Sequence, residues 1–547
     1  MRLHYLCCVA VAVILLNPVR ALADDAPDEA ALTPVALTPS PWKEFKLSLD
    51  GYLRVRAVAL DDLDLSRGPT PSTGQPIFPL PAGGGGDHTL TAVDMRVRFE
   101  PTFEVGQAVR IHMRVDVLDN VGWGSTPDVL PSTVAFAGAT TGTESPQGGL
   151  NSAYDAIRIK RAWGEVTLPF GVLAAGRMGA QVNWGTGFFV NNGDCLSCDY
   201  GDSGDRVALT VPILGHYLTA LYELSASGPY ANLTGDSGGQ ALDLERRAQV
   251  NSFALAFARY DSPEAQLRRL RADRTLVQYG LLASYRTQEL DAPAWVEPGG
   301  LGRPYGPNDF VHRGLSSFAA DLWVLVHHKG FRAELEMAGV FAKIDDASNM
   351  PGVSLRTPIT STQLGGVASV AYEFHFPLRM RFEAGFASGD DAPGFGVRIP
   401  PGQLTTQKGD LDGPQLRPPA DTTVDNFRFN PDYHVDLILW RRIIGQVSDA
   451  IYVKPSLRAG PFGSAHHHLT LELSIIDSHS IYAATPPGQD TNLGVEADLS
   501  ARYRYEAGFE IGLGYGLFFP GAGFRNLQLG LDPKPAQALE LILAFRI

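Results

Sequence analysis

Along most of this chain hydrophobic and polar residues alternate one for one. In FKLSLDGYLRVRAVAL, Phe45, Leu47, Leu49, Leu53 and Val55 take turns with Lys46, Ser48, Asp50, Arg54 and Arg56. An extended strand of this kind carries one apolar face and one charged face. VDMRVRFEPTFEV sets Val93, Met95, Val97, Phe99 and Phe103 against Asp94, Arg96, Arg98, Glu100 and Glu104. VRIHMRVDVLD sets Val109, Ile111, Met113, Val115 and Val117 against Arg110, His112, Arg114 and Asp116. The same period returns in FRAELEM, with Arg332, Glu334 and Glu336, and in LRMRFEAGF, with Arg379, Arg381 and Glu383.

Many of these segments run about 10 to 15 residues, longer than the usual soluble strand and suited to a tilted strand crossing an outer membrane. The connections alternate as well. They are tight at 104–107, 168–171, 214–216, 327–330 and 375–377, and long and rich in Gly, Pro and Asp at 61–89, 120–152, 182–204, 226–247, 288–314, 345–361 and 389–430. A soluble sandwich also alternates, but it turns its apolar faces inward and has short connections throughout. The pattern predicts an all-β chain: a transmembrane antiparallel up-and-down β-barrel over residues 44–547, with about 18 strands in a range of about 16 to 20.

About nineteen segments look extended, among them one beginning near 432, and a barrel with both ends on one side needs an even number. Residues 443–465 contain Lys454 and Pro455, which suit a central strand poorly. Reading them as a long periplasmic turn puts 479–491 and 520–534 on the long-loop rim. The final LELILAFRI places Leu539, Leu541, Leu543, Phe545 and Ile547 on one face. It resembles the C-terminal strand that the outer-membrane barrel-assembly machinery recognises, which would make that machinery a partner.

Residues 1–23 read as a secretory signal: Arg2, the apolar core YLCCVAVAVILL, and ALA ending at Ala23. Cleavage before Asp24 would remove Cys7 and Cys8, and with Arg2 and Arg20 would take the net charge from −14 to −16. An acidic exported chain is not a nucleic-acid partner. Residues 24–43, rich in Pro, Ala and Asp, are expected to be disordered in the periplasm.

The polar faces hold paired bases: Arg54 with Arg56, Arg96 with Arg98, Arg110 with Arg114, Arg158 with Lys160, Arg379 with Arg381, and Arg502 with Arg504. A mid-bilayer arginine facing lipid costs about 2 to 4 kcal/mol, so these residues are predicted to line the lumen. Two consequences are open. A basic ladder would favour anions, whereas pairing with Asp94, Glu100, Asp116, Glu334, Glu336, Glu383 and Glu506 would brace the wall and cancel the field. Trp163, Tyr503, Tyr505, Tyr515, Phe518 and Phe519 are expected on outward faces or near strand ends, in contact with the lipid headgroup zone.

DTNLGVEADLSARYRYEAGFEIGLGYGLFFPGAGF, residues 490–524, resembles the closing hairpin of the alginate-export porins of Gram-negative outer membranes. The LG-x-E-x-DL opening, the tyrosine-rich strand and the FFPG loop start carry the likeness. Members of that family conduct an anionic polysaccharide through an arginine-lined pore; for this chain the likeness implies a barrel and the export or uptake of a hydrophilic solute, small or polymeric, without fixing which.

Cys195 and Cys198 sit in NNGDCLSCDYGDSGD, a loop with no helix to activate a thiol and no further ligands for zinc. Outside the cytoplasm a local disulfide is expected. Asp194, Asp199, Asp202 and Asp205 form a weak calcium candidate whose spacing is not that of an EF-hand, and four acids in a solvated loop are the ordinary alternative. His466, His467 and His468 point to alternate faces of a strand, so at most two can converge. No nucleotide, hydrolase or metalloprotease motif is visible and no cofactor is implied. The function expected is a channel. A loop-plugged structural or adhesive barrel and an outer-membrane hydrolase are the alternatives.

Overall fold

The computed structural model describes residues 45–83, 86–124, 156–232, 241–292, 305–348, 350–355, 357–400, 403–464 and 466–547. The expected signal peptide and residues 24–43 lie outside them. The described residues form twenty strands: β1 (Phe45–Asp61), β2 (Thr89–Val105), β3 (Val109–Gly122), β4 (Ile157–Leu168), β5 (Gly171–Met178), β6 (Gly204–Ile213), β7 (His216–Ala226), β8 (Tyr230–Asn232), β9 (Ala241–Asp243), β10 (Val250–Arg259), β11 (Leu276–Asp291), β12 (Val311–His328), β13 (Phe331–Ile344), β14 (Ile359–Glu373), β15 (Leu378–Ala387), β16 (Ala450–Ser464), β17 (His467–Ser480), β18 (Asn492–Tyr505), β19 (Phe509–Pro520) and β20 (Ala536–Arg546). Eighteen join one antiparallel sheet, while β8 and β9 pair only with each other. Because β1 pairs with both β2 and β20, the sheet closes and leaves no free edge.

The burial pattern is that of a soluble protein turned inside out. Large apolar side chains such as Ile157, Leu255, Leu281, Met337, Phe382 and Leu499 are exposed on the outer face, while Arg54, Arg96, Asp116 and Glu336 are buried within. Only lipid makes that distribution favourable, and only a closed barrel satisfies every backbone group there. The chain is an outer-membrane β-barrel. Its first strand starts and its last strand ends on the rim with the tight turns, the periplasmic rim of such barrels. In one of these turns Gly106 takes φ 61°, a conformation that side chains resist.

The even strand count holds, but the segment removed to reach it was the wrong one. Residues 450–464 are β16, a spanning strand, and the extended segment predicted to begin near 432 is the one that does not span. Pro455 is tolerated because the ladder from β16 to β17 skips Lys454 and Pro455, while the ladder to β15 runs through them. In 432–445 the run Leu437, Ile438, Leu439 and Trp440 is apolar at consecutive positions. Residues 439–444 form a π-helical turn inside the barrel, with Ile438, Leu439, Trp440, Ile443 and Ile444 buried.

Two of the expected lipid-facing aromatics point the other way. A bulge at Lys160, where the β3–β4 register shifts, turns Trp163 inward to stack on His112 at 4.6 Å. Phe518 is fully buried and packs edge-on against Phe524. Tyr503, Tyr505, Tyr515 and Phe519 lie on the outward register of β18 and β19.

Candidate functional site

The lumen is built from charged wall residues and from outer loops that fold into it. The long connection after β5 folds inward, and residues 191–203 lie against the inner faces of β1 to β4. Asp199 reaches three wall arginines: Arg54 at 3.3 Å, Arg56 at 3.1 Å and Arg96 at 2.6 Å. Loop carbonyls accept further guanidinium N–H groups, Leu196 O from Arg54 at 2.7 Å, Cys198 O from Arg96 at 2.8 Å and Gly193 O from Arg98 at 3.2 Å. Burial alone would raise the Asp199 carboxyl, but Arg56, Arg54 and Arg96 hold it well below the usual carboxylate range. The loop goes inward because the wall supplies buried guanidinium groups that need anionic partners.

The predicted pore-lining residues all sit on the lumen register, in two groups. Those on β1 and β2 are buried and paired: Arg54 and Arg56 with Asp94, Arg96 with Asp119, and Arg98 with both oxygens of Asp116 at 2.7 and 2.8 Å. Arg114 bonds Glu100 and Asp194, and Arg158 and Lys160 face Asp119 at 3.5 and 3.7 Å. The second group lies nearer the periplasmic rim, where Arg110 meets Glu165 at 2.6 Å, Arg381 meets Glu383 at 2.6 Å, Arg379 lies 3.8 Å from Glu373, and Arg502 and Arg504 each lie 3.4 Å from Glu510.

Cys195 and Cys198 are disulfide-bonded, with Cα atoms 5.0 Å apart in a tight turn. The four loop acids do not gather around one point. Asp194 faces Arg114, Asp199 the β1–β2 arginines, Asp202 faces Arg206 at 2.6 Å, and Asp205 faces Arg177 at 2.8 Å. Among the described residues, the group of His, Cys, Asp and Glu close enough to share an ion is Asp62, Asp64 and His88. His466 and His468 both reach Glu506, at 3.0 and 3.4 Å, while His467 turns outward onto Tyr505.

The long loop from 388 to 449 is the second intrusion. Phe395, Phe427, Phe429, Val435, Ile438 and Trp440 pack with Leu60, Phe518 and Tyr452 of the wall into one dry core in the outer half of the barrel. Glycines on the inner face of β19 make room for it: a Cβ on Gly514 or Gly516 would meet Leu437 at 3.3 and 3.1 Å. Glu496 of β18 accepts the backbone N–H groups of Leu437, Ile438 and Leu439 at 2.9, 2.8 and 3.0 Å, and Glu540 of β20 holds Arg441 and Arg442, both at 3.0 Å. These anchors escaped sequence analysis, as did Asp119 and Arg161. The Lys160 bulge hides Arg161, and only tertiary folding unites 437–442 with β18 and β20.

Below this plug, a cavity of about 510 Å³ is lined by Arg458, His468, Thr470, Glu472, Arg502 and Arg504, among others. In most local pairs the acid is sunk into the wall and the arginine head meets the lumen; Arg379, 27% exposed against 59% for Glu373, reverses the order. Arg502 is 66% exposed against 4% for Glu510, and Arg332 is 39% against 8% for Glu334. The same asymmetry separates Arg110 from Glu165, Arg381 from Glu383, and Arg546 from Glu510.

No protein-family model matches the chain, and no curated protein sequence does. Among solved structures the chain is similar to Pseudomonas aeruginosa OccK9 (OpdG), with 12% identity, 92% of this chain and 99% of that one covered, and a TM-score of 0.47. It is similar to P. aeruginosa OccK11 (OpdR), with 10% identity, 91% and 96% covered and a TM-score of 0.44. A BenF-like porin from Pseudomonas fluorescens Pf-5 shares 9% identity, with 92% and 98% covered and a TM-score of 0.43. The strand pairing above establishes the fold of this chain independently of them.

Proposed function

We propose that this barrel is an outer-membrane channel for hydrophilic anions, narrowed by the loop after β5 and by the 388–449 loop. The observation that carries it is the exposure asymmetry in the periplasmic half of the lumen. Pairing balances charge there, as the bracing alternative requires, yet over most of the surface that a solute meets arginine heads stand over sunken acids, Glu373 being the exposed exception among the pairs. A field of that kind favours anions in a confined aqueous passage. An eighteen-stranded barrel is also wide enough for an aqueous lumen. The likeness of 490–524 to the alginate-export porins supports an acidic sugar polymer or its fragments as solute, and the terminal strand supports handling by the barrel-assembly machinery.

The hydrolase alternative has one point of contact. Ser197 Oγ lies 3.4 Å from His434 Nδ1 inside the lumen. Burial and Arg441 push His434 down to about 3, which makes it a weak base. Among the described residues no carboxylate is hydrogen-bonded to its ring to orient it, as a triad needs. Single-channel recording in planar bilayers tests the proposal against a plugged barrel. Discrete conductance steps are expected; an electrically silent but folded barrel would refute it.

A further inference from the structure

Each in-folded segment is fixed to the wall by a carboxylate that accepts its backbone N–H groups, and each of those carboxylates has a second acid beside it. Glu336 of β13 accepts the N–H and the hydroxyl of Thr186, the latter at 2.6 Å, while Asp321 of β12 accepts Trp184 Nε1 at 2.7 Å. The β12–β13 register, with Asp321 opposite Ala338, puts Asp321 and Glu336 diagonally on one face. Both are buried, and Asp321 Oδ2 and Glu336 Oε1 have no donor. Across the lumen, Glu496 holds residues 437–439, and Asp498 stands two residues along the same face of β18 with Oδ1 lacking a donor. A Cβ on Gly516 would meet Asp498 Oδ1 at 2.9 Å and Glu496 Oε1 at 3.3 Å, so the two carboxyls flank one glycine.

In both places the two carboxyls are within hydrogen-bonding reach of each other. Two carboxylates cannot hydrogen-bond without a proton, and two buried negative charges in contact repel strongly. Little nearby cancels them. Asp321 and Glu336 face Tyr260, Trp184, Thr186 and Glu334; among the described residues neither forms an ion pair. Glu496 and Asp498 face a third acid, Asp436, and the cations Lys454 and Arg441, of which Arg441 is already paired with Glu540, so the carboxyls outnumber the cations that reach them.

We propose that Asp321–Glu336 and Glu496–Asp498 are two proton-sharing latches that hold the in-folded segments 184–186 and 437–439 against the wall, so that the constriction loosens as pH rises. The latches rest on the channel proposal only for their consequence in transport; their geometry stands without it. Losing the shared proton ionises both members, and the loop must leave or the charges must stay in contact.

The test is amide hydrogen exchange of the full-length barrel in detergent, corrected for intrinsic rates, from about pH 5 to about pH 10. Protection at Thr186 and at 437–439 is expected to fall with rising pH, by up to about tenfold per unit once the shared proton is lost. In Asp321→Asn with Asp498→Asn, each amide supplies the hydrogen that the shared proton supplied, so protection should stay flat. A flat wild-type profile, or the same decline in the double variant, would overturn the proposal. So would full recovery of protection on adding calcium at about pH 9, which would make the occupant a metal ion and not a proton. Silence in bilayer recordings would refute the channel and leave the exchange result standing.

Discussion

Replacing Asp199 by asparagine removes one charge, keeps the shape, and tests whether the arginine wall holds the cysteine loop inside the lumen. The carboxylate meets Arg54, Arg56 and Arg96 at 3.3, 3.1 and 2.6 Å. Removing one partner of a buried ion pair costs about 3 to 5 kcal/mol. Arg54 and Arg56 would keep Asp94, and Arg96 would keep Asp119 at 2.8 Å, so the lower end, about 3 kcal/mol, is the expected cost of holding the loop in place. At 1.4 kcal/mol per factor of ten, opening of residues 191–203 should become about 100-fold more frequent. Amide exchange over that segment reads it directly. Asp205→Asn is the control, because its pair with Arg177 is half exposed on both sides and should matter by less than about 1 kcal/mol. Exchange within about threefold of wild type in Asp199→Asn would refute the assignment of the wall arginines as loop anchors. The pH dependence follows from the same group. Its carboxyl is held below its unfolded value of about 3.9, so its stabilisation is complete above that value and is lost as pH falls below it. Exchange of 191–203 should therefore rise below about pH 4 in wild type and be flatter in the variant.

Three further outcomes are expected. Gly516→Val should displace the 388–449 loop, since even a Cβ there falls 3.1 Å from Leu437 and 2.9 Å from Asp498; conductance should rise while heat-modifiable gel migration stays that of a folded barrel. Glu540→Gln should leave Arg441 and Arg442 without their carboxylate and raise open-channel noise, an effect that Glu472→Gln, whose partner Arg458 is 48% exposed, should not reproduce. Reducing Cys195–Cys198 should shift thermal unfolding little, because so short a loop constrains the unfolded chain weakly.

The barrel was legible because lipid imposes a period of two on every spanning strand, and FKLSLDGYLRVRAVAL keeps it from Phe45 to Arg56 with a break only at Gly51 and Tyr52. Where the alternation breaks, the pattern misleads for definite reasons. Pro455 looked like a strand breaker, yet a strand can forgo two ladder positions on one side. The run 437–440 looked like a strand because it is apolar, although lipid-facing strands are apolar only at alternate positions. One inserted residue at Lys160 reversed the facing of Trp163, as a bulge always does and a pattern never announces. The lumen arginines were legible one by one, but their partners were not, since Asp199 and Glu540 meet Arg56 and Arg441 only after the loops fold inward.

Selectivity for anions depends on which charges face the water of the passage. A reversal potential measured across a bilayer under a potassium chloride gradient reports those charges. Arginine heads standing over sunken acids predict a potential displaced toward the chloride equilibrium value, and a smaller displacement in Arg502→Gln with Arg504→Gln. A wild-type potential on the potassium side would contradict it.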